Sequence, residues 1–129
     1  MKPKILLLGD DLRVPTGVGN ICKDIVINTL EDFDWVQIAC RKNHNEHGKI
    51  IDISKSISER YKVDGASVRL YCSNSYGDEY AVKNIIESEK IDAILHMTDP
   101  RYYTWLYDIE NEIRKKTPIC YYHVWDNFP

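Results

Sequence analysis

The chain reads as an α/β protein with a mainly parallel sheet of about five strands and helices on both faces. Three observations predict this. Short apolar runs alternate with stretches whose apolar residues recur at helical spacing. Turn chemistry separates runs from their neighbours, as at Gly9-Asp10-Asp11 after the first and Asp64-Gly65 before the third. Strands that alternate with helices pair in parallel through right-handed crossovers.

The first strand is Ile5-Leu6-Leu7-Leu8, opening at about residue 4. The first helix, about 17–31, carries Val18, Ile21, Cys22, Ile25, Val26 and Leu30 on one stripe, with Thr16 as its N-cap. The second strand is Trp35–Cys40. Residues 41–67 begin as a polar loop around His44-Asn45-Glu46-His47 and continue as a short helix through Ile53, Ile57 and Tyr61, capped near Asp52 or Ser54.

The third strand is Val68–Cys72. A helix after Gly77 sets Tyr80, Ala81, Asn84, Ile85 and Glu89 along one stripe, and the fourth strand is Asp92–Met97. Asp99-Pro100 opens another helix, with Tyr102, Trp105, Leu106, Ile109 and Ile113 inward and Tyr103 and Tyr107 off the stripe, partly exposed. Pro118 ends it, and the fifth strand is Ile119–Tyr122. The whole is a Rossmann-like three-layer sandwich spanning 1–129 as one domain.

Composition narrows the function classes. A net charge of −3 argues against a non-specific nucleic-acid binder, which needs a basic face. The apolar runs are too short for a signal peptide or a transmembrane segment. Four cysteines, none close to another in sequence, carry no C-x-x-C signature and read as buried, reduced thiols of a cytoplasmic protein.

In open parallel sheets, ligands bind beyond the carboxyl ends of the strands. That rule gathers 9–20, 43–48, 96–101 and 123–127 on one edge, the segments richest in His, Asp and aromatic residues. Within 9–20, Gly17-Val18-Gly19-Asn20 opens the first helix, whose N–H groups and dipole suit a phosphate or carboxylate. The alternative is that Gly17 and Gly19 only let the helix pack closely. The dinucleotide fingerprint is incomplete, because Cys22 stands at its third glycine. Asp10 and Asp11 read as turn residues bonding their own backbone, or as site carboxylates. His44 and His47 have no evident third metal ligand, so no metal site is expected.

Pro15-Thr16-Gly17-Val18-Gly19-Asn20 after a strand, and Tyr122-His123-Val124-Trp125-Asp126 at the end of another, resemble the N-terminal half of family-four retaining glycosyltransferases. The resemblance implies a GT-B architecture of two Rossmann-like domains facing across a cleft. This chain would be the acceptor-side domain, inactive alone, and a C-terminal Rossmann-like domain in cis would supply most donor contacts. The final Phe128-Pro129 reads as the start of a linker. Gly17, Val18, Gly19 and Asn20 would approach the diphosphate of a nucleotide-sugar donor. His123 and Asp126 would serve the transfer, and His96, Asp99, Arg101 and Trp125 would bind the sugar or the glycan or other acceptor. No cofactor and no metal are implied. The competing readings are a stand-alone flavodoxin-like or Rossmann-like ligand-binding module and an NADP-dependent enzyme, for which Arg41 after the second strand would meet a 2′-phosphate.

Overall fold

The computed structural model describes residues 2–41, 43–98 and 103–123. The elements run β1 (Lys4–Asp10), α1 (Gly17–Asn28), β2 (Asp34–Cys40), β3 (Ile50–Asp52), α2 (Ser54–Tyr61), β4 (Val68–Ser73), α3 (Glu79–Glu89), β5 (Ala93–Thr98), α4 (Thr104–Arg114) and β6 (Ile119–His123). They form an α/β sandwich around one sheet of order β3-β4-β2-β1-β5-β6. All pairings are parallel except β3 with β4.

Among the described residues the sheet has six strands rather than about five. The addition is β3, within the stretch read as loop and helix. Its three residues are held by antiparallel pairing, Ile50 to Tyr71, Ile51 to Leu70 and Asp52 to Arg69. Without β3 the parallel strands have, in chain order, the arrangement 3-2-1-4-5. That is the Rossmann order, and it differs from the 2-1-3-4-5 order of flavodoxin-like folds. The reversal of direction lies between β1 and β5, so the crevice at their carboxyl ends is the switch point of the sheet.

Two cores flank the sheet because β1 and its neighbours are buried on both faces. Leu6 and Leu8 of β1 face α3 and α4, packing with Val82, Ile85, Leu106 and Ile113. Leu7 faces the other way, with Cys22 and Val26 of α1 and Ile57 of α2. The α4 stripe holds for Leu106, Ile109 and Ile113.

Three expectations on burial are corrected. Tyr103 has no exposed surface, since it precedes the first turn of α4 and folds inward, its ring 5.3 Å from Tyr76 and 4.3 Å from His96. On α3 the buried residues are Val82, Ile85 and Glu89, while Tyr80 is 81% exposed and Asn84 is exposed, because the Asp78 cap sets the start of the helix. Cys22, Cys40 and Cys72 are buried free thiols, but Cys120 is exposed on the edge strand β6. Among the described residues, no helix is long and apolar enough to cross a membrane.

Candidate functional site

The turn from β1 into α1 is built by side chains that satisfy backbone groups. Thr16 is the N-cap: its Oγ1 accepts from the Gly19 N–H at 2.9 Å and donates to Asp10 Oδ2 at 2.9 Å. The other Asp10 oxygen accepts from the Tyr76 hydroxyl at 2.8 Å. Gln37, in the middle of β2 and almost wholly buried, donates to the Asp10 carbonyl at 2.7 Å and accepts from the Leu12 N–H at 3.1 Å. Gln37 between Val36 and Ile38 is the signal of this role in the sequence, a polar residue among apolar neighbours in a central strand.

The glycines of this loop divide into two kinds. A Cβ at Gly19 would lie 2.5 Å from the Val14 carbonyl and 2.9 Å from Thr16 Oγ1, so glycine there is a packing requirement. Gly9 is similar, with the Met97 carbonyl at 2.6 Å and Cys22 Sγ at 3.0 Å. Cys22 therefore fills the place where the dinucleotide fingerprint has its third glycine by packing on Gly9. Gly17 is different: a Cβ there would meet nothing within 4 Å, and the residue is exposed. Among the described residues, the N–H groups of Gly17 and Val18 have no hydrogen-bond partner.

Beside this turn lies an ionic network with Asp11 and His44 buried and Arg13 and Glu46 on its solvent side. Asp11 has no exposed surface. It is a turn residue, accepting the Arg13 N–H at 2.8 Å, and it also takes Arg13 Nε at 3.1 Å and Nη2 at 2.8 Å. Arg13 extends to Glu46 at 3.2 Å. His44 Nε2 lies 3.1 Å from Asp11 Oδ2, and its Nδ1 accepts the Glu46 N–H at 3.1 Å. The Glu46 bond makes Nδ1 the acceptor, so Nε2 bears the proton given to Asp11. Burial pushes the Asp11 carboxyl up, but the bonds and charge of Arg13, with His44, outweigh it and leave the group below its ordinary value. The Arg13 guanidinium is raised further above its usual range, chiefly by its bond to Asp11.

His44 thus sits in the interior, not on a polar surface loop, fastened also through its own N–H to Asn74 Oδ1 at 2.6 Å. His44, Glu46 and Cys72 bring one donor atom each within 4.8 Å of one another. The donors are occupied: His44 Nδ1 by a backbone N–H, Glu46 by Arg13, and Cys72 by the same cation at 3.7 Å, with burial raising its thiol. A guanidinium among the three ligands opposes a second cation there, so this cluster does not fit a metal.

The carboxyl edge does bring together 9–20 and 43–48, as read from the sequence. His96, on β5 beside Leu8 and Tyr121, is wholly buried, its ring against Tyr103 and 5.4 Å from that of Tyr121. The backbone of His123 closes β6, across from Thr98. Its side chain, together with Asp99, Arg101, Trp125 and Asp126, lies outside the described residues. Comparison with protein-family models, with curated proteins and with solved structures gives no match to this chain.

Proposed function

We propose that the chain is the acceptor-side Rossmann-like domain of a glycosyltransferase that moves a sugar from a nucleotide-diphosphate sugar to an acceptor. The observation that carries this reading is the first turn of α1: two N–H groups without a partner among the described residues and an open Gly17, beside the switch point of the sheet. Departure of a nucleoside diphosphate builds negative charge on phosphate, which helix N–H groups stabilise. Gly17, Val18 and Asn20 would face the diphosphate, and Gly19 holds the turn in shape. His123 and Asp126 would stand near the sugar as it gains oxocarbenium character. His96, Asp99, Arg101 and Trp125 would shape the sugar and acceptor side, with His96 acting from beneath. A second Rossmann-like domain would bring the donor.

The test is Gly17→Val in the protein that carries both domains. A Cβ there meets no atom within 4 Å, so the fold should survive, while the side chain would hold the diphosphate off the N–H groups and turnover should fall by about a hundredfold or more, the effect of losing one such hydrogen bond. Wild-type turnover in the folded variant would refute the reading. Nucleotide-sugar turnover by the two-domain protein and titration of the 129-residue chain with NADPH separate the classes. Tight NADPH binding would favour the redox reading and Arg41.

A further inference from the structure

We infer that the groove between α1 and α2 binds a small amphiphilic anion: a phosphate, sulfonate or carboxylate carried on a cyclic apolar body. The cavity is about 360 Å³, within the range of small-molecule sites. Its walls follow from helical spacing. Asn20, Lys23 and Ile27 stand on successive turns of α1, and Ser56 and Arg60 on successive turns of α2. Leu12 and Ile57 lie buried at its base and supply the apolar contact.

The charge is one-sided. Carboxylates outnumber cations in the chain, 20 to 17, yet the groove is lined by Arg13, Lys23 and Arg60 and by no carboxylate among the described residues. Arg13 is matched by Asp11 and Glu46. Lys23 and Arg60 form no ion pair among the described residues, so two cations are left for a ligand. Arg60 lies over the Tyr61 ring, 5.5 Å from its centroid, which sets the guanidinium beside an aromatic surface at the groove. Asn20 and Ser56 add neutral hydrogen-bond donors. Two cations over an apolar base reward a ligand that has both an anionic head and a ring, and neither part alone. The inference stands whether or not the chain serves sugar transfer.

The probe is 1-naphthyl phosphate, titrated into the 129-residue chain and followed by amide chemical shifts. Saturable shifts are expected at Asn20, Lys23, Ile57 and Arg60. Inorganic phosphate and 1-naphthol should each bind at least about tenfold more weakly, since each lacks one half of the match. Lys23→Gln with Arg60→Gln should cost about tenfold or more. Ser56→Trp, on an exposed position, should block the groove and leave both charges in place. The amide spectra of the variants report their folding. Absence of saturation, shifts that saturate elsewhere, naphthol binding as tightly as the phosphate, or unchanged affinity in both folded variants would overturn the inference.

Discussion

Replacing Asp11 by alanine tests whether the network beside the β1–α1 turn holds the fold. Asp11 has no exposed surface and receives four donors, three from Arg13 and one from His44. Alanine leaves the His44 Nε2–H, whose side chain is also fully buried, without an acceptor, at about 1–3 kcal/mol. Loss of the turn bond to the Arg13 N–H adds about 1 kcal/mol. The Arg13 side chain keeps 29% exposure and its guanidinium can turn to water, so its share is about 0.5 kcal/mol. The sum is about 3 kcal/mol, or a midpoint about 10 °C lower for a domain of this size. Urea unfolding followed by the fluorescence of buried Trp35 measures it. The pH dependence carries a sign. The folded Asp11 carboxyl lies below its ordinary 3.8, so its stabilisation is complete above that value and is lost as pH falls through the folded one. The gap between wild type and variant should therefore be full at neutral pH and close in strong acid. A loss under about 0.5 kcal/mol at neutral pH, the range of an ordinary surface change, would refute the reasoning, as would a gap that does not narrow in acid.

Two further outcomes follow from the same turn and from the thiols. Thr16→Ala should cost about 1 kcal/mol, because it removes the cap on the Gly19 N–H together with the bond to Asp10; urea midpoints within error of wild type would count against that cap. Burial raises the Cys22 thiol to about 12 and that of Cys40 to about 11, so in the folded chain a thiol reagent near pH 8 should modify the exposed Cys120 well before these two; equal rates, read by mass spectrometry of peptides, would contradict their burial.

What the sequence made legible is what one element decides for itself. Apolar runs located the five parallel strands, helical spacing located α1 and the inward face of α4, and Thr16 read as a cap because capping is local. What it hid depends on distant partners. β3 has three residues and no pattern of its own, and exists by pairing with β4. Helices α2 and α3 stop on Lys62 and Lys90 in the left-handed conformation, without the glycine that marks such ends. His44 looked like a surface histidine because the partners that bury it, Asp11 and Asn74, stand about thirty residues away on either side.

The same distinction separates the two parts of the carboxyl edge. The Asp11 network uses its own charges: each carboxylate has the guanidinium, and each imidazole nitrogen has a partner. Such a closed set has no charge left for a ligand, and its role is to hold the loop 43–48 against the turn into α1. The first turn of α1 and the α1–α2 groove are the reverse, with N–H groups and two cations that no described residue matches. Leu12 and Arg13 belong to both regions, since they lie in the fastened turn and also line the groove. A ligand entering the groove would therefore meet a wall already fixed by hydrogen bonds, and would not have to order it on binding. It follows that Asp11→Ala should weaken naphthyl phosphate binding although Asp11 does not line the groove, while Lys23→Gln should weaken binding and leave the urea midpoint where it was. If both changes moved stability and binding together, the turn and the groove would be one unit, and a closed network would not be separable from an open site.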